Sequence, residues 1–109
     1  MRAQYKGLGD ALEQHWPSIP DSVSITDEQL GDLKLRIFKP SASAEHEMPV
    51  AVYYHGGGLV IPLAKSDDVL CATLVHATKI IIVSVDYRLS PEHKAPAHLQ
   101  DAVESFKWV

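Results

Sequence analysis

The chain has 109 residues, 46% of them hydrophobic, which is enough apolar surface for a core and too much for a disordered segment. Ten basic and 14 acidic residues are interspersed and leave a formal charge of -4, so neither nucleic acid nor an anionic membrane is expected as the main partner. The one cysteine, Cys71, makes no intramolecular disulfide, Met1 to Asp10 lacks the apolar centre of a secretory signal, and no run approaches the ~18 apolar residues of a membrane span; a cytoplasmic location is therefore expected.

Leu8, Leu12 and Trp16 lie at helical spacing, and Pro17 and Pro20 end that segment. Residues 1–20 are thus set apart as an amino-terminal helical, cap-like segment, or equally a helix packed on a sheet, and residues 21–109 form the main domain. Val23 to Ile25 and Leu33 to Phe38 read as strands, the second alternating Leu33, Leu35 and Ile37 against Lys34, Arg36 and Phe38, with Asp27 to Asp32 as the turn. Lys39 to Pro49, which holds Glu45 and Glu47, is a polar solvent loop. Val50 to Tyr54 is a compact apolar run. Ser66 is placed to cap a helix whose first turn carries Asp67 and Asp68 and whose apolar stripe is Leu70, Leu74 and Ala77, flanked by Cys71 and Val75. Lys79 to Asp86 is nearly all β-branched, as in a strand buried on both faces. Strand, helix and strand in this order form a βαβ unit with parallel strands. After a turn over Ser90 to Pro96, Leu99, Val103 and Phe106 begin a second amphipathic helix. It meets Val109 with no stop signal, so the chain is expected to be part of a longer one.

His55-Gly56-Gly57-Gly58 directly follows the first strand of that unit. Consecutive glycines in ordered structure cost about 0.5–1 kcal/mol each, and two reasons justify them: a tight turn at positive φ, or close approach of the backbone to a ligand. Loops of the second kind aim amide N–H groups at an oxygen that becomes negative during acyl transfer, where one donor lowers the barrier by ~3 kcal/mol. A phosphate loop is disfavoured because the Walker lysine and Ser/Thr are absent. Taken alone, three glycines favour the turn.

The second motif changes that balance. One helix and one strand later stands Asp86-Tyr87-Arg88-Leu89-Ser90-Pro91-Glu92-His93, then Pro96-Ala97 and Asp101-Ala102. HGGG followed by DYRLSPEH at this interval resembles the hormone-sensitive-lipase-like, fold-3 family of α/β-hydrolases, which comprises esterases and lipases; the likeness is clearest from Leu33 to Val109. The resemblance implies an α/β fold of which this chain supplies the first four strands of a mostly parallel sheet and two crossover helices. It implies hydrolysis of small carboxylic esters without a cofactor. Gly57 and Gly58 would donate to the oxyanion, Gly56 would fix the turn and His55 would support the loop. Asp86, Tyr87 and Arg88 would brace the floor of the site, followed by the turn of Pro91, Glu92 and His93. Pro62 stands where the family has a glycine.

In this fold the nucleophile sits in G-x-S-x-G and precedes the acid and the histidine. No serine here has that setting, and all six histidines lie at or before position 98. The nucleophile, acid and base are therefore absent, and the isolated chain is expected to be inactive. The alternative is a hydrolase-like protein that binds a small ligand without turning it over. A triad of His55, Asp86 and Ser90 is not supported by their spacing. Cys71 is expected in the core, His76 at the surface or rim, and Trp16 and Trp108 as packing anchors; Asp86 and Arg88 are read as a structural ion pair. His93 and His98 lack a ligand set, so no metal is expected. By the resemblance, Val50 to Tyr54 has an unpaired outer edge prone to self-association.

Overall fold

The computed structural model describes residues 4, 7, 11, 15–42 and 47–109; most of the helix predicted over Arg2–Trp16 lies outside them, as does Glu45. The described elements are β1 (Val23–Leu30), β2 (Leu33–Pro40), β3 (Val50–Tyr54), α1 (Asp68–Thr78), β4 (Ile81–Asp86) and α2 (Ala97–Trp108). The four strands form one sheet in the order β1-β2-β4-β3. β1 and β2 are antiparallel, as are β2 and β4, while β3 and β4 run parallel from Val50 opposite Ile81 to Tyr54 opposite Val85. This is the α/β architecture expected, with a mixed sheet over these strands.

The predicted turn over Asp27 to Asp32 is corrected to Gly31 and Asp32 alone, because Leu30 already pairs with Leu33. Gly31 has φ 59° and Asp32 does not have positive φ, as a two-residue type II′ hairpin requires. Polar residues 27–29 extend β1, which among the described residues is an edge strand paired on one side. Asp27 there faces Arg36 across the ladder and binds it.

Side chains alternate across a strand, so the sheet has two apolar faces. On one, Val23, Phe38 and Ile82 pack with Cys71, Ala72 and Val75 of α1. On the other, Leu33, Leu35, Ile37, Val83, Val85 and Tyr87 pack together. Phe38, expected on the polar side of β2, is fully buried because α1 covers that side. Consecutive tyrosines at the end of β3 reach opposite layers: the Tyr53 hydroxyl donates to Asp67 before α1, and the Tyr54 hydroxyl to the Ala102 carbonyl of α2.

Both helices differ from their predicted faces. α1 begins at Asp68 with Asp67, not Ser66, in the capping position, and the Asp67 carboxylate is engaged by Tyr53 instead of by the helix end. Its buried residues are Cys71, Ala72 and Val75, while Leu70 and Leu74 are exposed. It ends at Lys79, whose φ of 60° turns the chain, so β4 starts only at Ile81. In α2 the buried residues are Ala97, His98, Asp101 and Ser105. The predicted stripe of Leu99, Val103 and Phe106 faces outward, Phe106 being 71% exposed. Trp108 is also partly exposed and is not a packing anchor. The inward side chains Asp101 and His98 instead bond Arg88 in the turn that leaves β4.

Candidate active site

β3 and β4 end side by side, and the glycine loop leaves one while residues 87–90 leave the other. Crevices beyond the carboxyl ends of parallel strands are where open α/β sheets bind ligands. Gly57 has φ 109°, Gly58 60° and Leu59 64°. A Cβ on Gly57 would lie 2.6 Å from the Ile61 carbonyl oxygen, so only glycine fits there. The Gly57 carbonyl accepts from the Val60 and Ile61 N–H groups at 3.2 and 3.0 Å, closing the loop on itself. Gly56, expected to fix the turn, does not: its φ is not positive and a Cβ there would meet nothing within 4 Å. Among the described residues no backbone carbonyl accepts from the N–H of Gly57 or Gly58.

The exit from β4 holds the loop at both ends. At the entrance the buried Tyr87 hydroxyl donates to the His55 carbonyl at 2.6 Å, and the two rings stack with centroids 4.3 Å apart. At the far end the Ser90 N–H donates to the Leu59 carbonyl at 2.8 Å. His55 is 3% exposed, and its Nδ1 lies 2.7 Å from the Gly56 carbonyl. A carbonyl only accepts, so Nδ1 carries the proton. Nε2 is buried and has no hydrogen-bond partner among the described residues.

Arg88 binds Asp101 of α2, at 2.7 Å from NH2 to Oδ1, and its backbone N–H donates to the same carboxylate at 2.8 Å. The predicted pair of Asp86 with Arg88 is thereby corrected: Asp86 is exposed and opposite Lys34 in the ladder. Burial works against ionisation of Asp101, but the hydrogen bonds from Arg88 outweigh it and hold the carboxyl below its ordinary range. An open groove of ≈ 320 Å³ beside the loop is lined by Pro62, Asp86, Tyr87, Arg88, Glu92 and His93, together with Leu89. Pro91 lies exposed between them in the chain. Ser90 meets His98, at 3.2 Å from Oγ to Nε2, and not His55. Tyr87 was expected to brace the site, whereas the Ser90 N–H, His98 and the Asp101 carboxylate were not foreseen as partners. The signals available for them were the DYRLSPEH segment with Asp101 after it and the spacing of His98, Asp101 and Ser105 along one helical face.

Away from the loop, Arg36 joins Asp27 and Asp68 beside a cavity of ≈ 250 Å³. The Arg36 hydrogen bond lowers the Asp27 pKa, whereas burial raises that of Asp68 despite the same partner. Cys71 is fully buried, and burial pushes its thiol up to about 12, as befits the expected core residue. His76 is exposed, as expected, and meets the Ser22 hydroxyl at 2.6 Å. Among the described residues no three His, Cys, Asp or Glu side chains form a metal-binding group, and no helix is long and apolar enough to cross a membrane.

Comparison with known proteins agrees with this geometry. The family profile of the alpha/beta hydrolase fold matches residues 51–109. The chain is 33% identical over 108 residues to a versiconal hemiacetal acetate esterase of Dothistroma septosporum, covering 99% of the chain and 33% of that protein. It is 38% identical over 107 residues to probable carboxylesterase 8 of Arabidopsis thaliana, covering 91% and 32%. Among solved structures, an esterase of Pyrobaculum calidifontis matches with a TM-score of 0.81 at 33% identity, over 99% of the chain and 35% of the esterase. A bacterial heroin esterase matches with a TM-score of 0.84 at 29% identity, over 98% and 35%. The chain spans about a third of the length of the curated relatives it matches.

Proposed function

Because the chain belongs to the α/β-hydrolase family, in its hormone-sensitive-lipase-like, fold-3 branch, we propose that its glycine loop is the oxyanion-binding element of a serine carboxylic ester hydrolase. The chain is esterase-like, and its relatives are carboxylesterases. The observation that carries the reading is the loop at the end of β3, held at both ends, with the Gly57 and Gly58 N–H groups left without a backbone acceptor among the described residues. In the proposed reaction a serine attacks the ester carbonyl of a small substrate, and the two N–H groups hold the oxygen as it gains charge. Removal of one such donor typically costs ~10²–10³ in kcat. The loop needs no cofactor for this role.

The 109 residues contain no G-x-S-x-G, so the chain alone is proposed to be inactive. The direct test grafts it in place of the matching third of the Pyrobaculum calidifontis esterase and labels the glycines with ¹⁵N. Hydrolysis of a short-chain aryl ester is expected, and a covalent phosphonate should shift the Gly57 and Gly58 amide resonances downfield. A folded, phosphonate-labelled chimera in which neither resonance moves overturns the assignment. Binding of a small ester analogue by the chain alone, with no turnover by the chimera, favours the ligand-binding alternative.

Self-association belongs to the same proposal. Among the described residues β3 is paired on one side only, and exposed Leu70 and Leu74 on α1 and Leu99, Val103 and Phe106 on α2 leave both helices with apolar surface. Sedimentation of the chain alone should show concentration-dependent dimers or larger species, and a monodisperse monomer refutes it.

A further inference from the structure

We infer that His98 is a positioning residue for the glycine loop, acting through Ser90. The inference takes the importance of that loop from the proposed function, but its geometry stands independently. His98 is 9% exposed and belongs to the first turn of α2, far from the loop in sequence. Its Nδ1 lies 2.6 Å from the Arg88 carbonyl. A carbonyl cannot donate, so Nδ1 holds the proton, and in the neutral ring Nε2 is an acceptor. That acceptor faces the Ser90 hydroxyl at 3.2 Å. The same hydroxyl donates to the His93 carbonyl at 3.1 Å, so its single proton is shared between that carbonyl and Nε2 and holds the ring to the turn that follows.

Ser90 is the residue whose N–H grips the Leu59 carbonyl, one position beyond Gly58. Three links therefore join α2 to the loop: ring to the Arg88 carbonyl, ring to the Ser90 hydroxyl, and Ser90 N–H to Leu59. Asp101 sits one helical turn along the same face and binds the Arg88 N–H and guanidinium, so the strand exit is held from two points on α2. Leu59 has φ 64°, a conformation disfavoured for a non-glycine residue that persists only where surrounding bonds impose it. The clamp through Ser90 is such a bond. The buried ring of His98 is thereby explained without a metal or a proton-transfer role.

The test uses the 109-residue chain labelled with ¹⁵N. With the ring neutral, the wild-type imidazole spectrum should show His98 protonated at Nδ1 and bare at Nε2. His98→Ala should speed hydrogen exchange at the Ser90 amide about tenfold, the loss of roughly one net hydrogen bond, and should move the Gly57 and Gly58 resonances. His98→Asn keeps a donor close to the Nδ1 position but has no Nε2 acceptor, so it should restore the Arg88 link alone and leave most of both effects in place. Exchange at Phe38 and Val83 in the sheet should stay unchanged, which separates release of the loop from general loss of stability. The opposite tautomer in the wild type overturns the inference, as does His98→Ala with Ser90 exchange and glycine resonances unaltered. If His98→Ala does not fold, Ser90→Ala keeps the backbone N–H but removes the hydroxyl. A shift of the glycine resonances in that variant supports the clamp, and none refutes it. Failure of the phosphonate experiment leaves these readings intact, so the two proposals fail separately.

Discussion

Substitution of Gly57 by alanine isolates the constraint on which the loop depends. The added Cβ would stand 2.6 Å from the Ile61 carbonyl oxygen and 3.0 Å from the Ile61 Cβ. Ile61 cannot withdraw freely, because its own N–H is bonded to the Gly57 carbonyl at 3.0 Å. Backbone at φ 109° costs an L-residue about 1–2 kcal/mol, and relieving the clash adds about 1–3 kcal/mol, the range for forced overpacking. Gly57→Ala is therefore expected to lose about 2–5 kcal/mol. At Gly58 the φ of 60° remains but the space is open, so alanine should cost only about 1–2 kcal/mol. Gly56 carries neither constraint; alanine there should be neutral or stabilise by about 0.4–1 kcal/mol through the unfolded chain. Urea unfolding followed by circular dichroism, with linear extrapolation, measures all three. Three variants sharing one midpoint, or Gly56→Ala as the least stable, would refute the argument.

Asp101→Asn should destabilise the fold by about 1–3 kcal/mol, chiefly because the Arg88 backbone N–H loses its charged acceptor. The Asp101 pKa is lowered from 3.8 on folding, so its contribution is complete above that value and fades as pH falls through the lower folded value. The stability gap between wild type and Asp101→Asn should accordingly narrow as pH falls through 3.8 and then through the lower folded value, and a constant gap counts against the pair. Tyr87→Phe removes the hydrogen bond to the His55 carbonyl and should cost about 1 kcal/mol in the same urea assay; an unchanged midpoint would show that this contact holds nothing. Cys71 should resist an aromatic disulfide reagent in the folded chain and react promptly in denaturant, because its thiol is buried and pushed up to about 12. Fast reaction without denaturant contradicts that burial.

Much of this molecule is legible as local pattern. The β-branched run before Asp86, the apolar run ending at Tyr54 and the helix between them need only periodicity and propensity to be recognised, and the structure places them as β4, β3 and α1. Three glycines at the end of a strand mark a loop because glycine adopts positive φ most readily, and the DYRLSPEH segment that follows is what sets it apart from a plain turn. Which of the three is obligatory depends on the Ile61 carbonyl, whose position only the folded loop defines. The inward face of α2 was equally hidden. Leu99, Val103 and Phe106 are the more apolar stripe, yet His98, Asp101 and Ser105 turn inward, where the Arg88 carbonyl accepts from His98, the Arg88 N–H and guanidinium donate to Asp101 and the Tyr54 hydroxyl meets Ser105. Periodicity along a chain reports which residues share a face. Which face is buried depends on the groups waiting across the interface, and those come from residues distant in sequence.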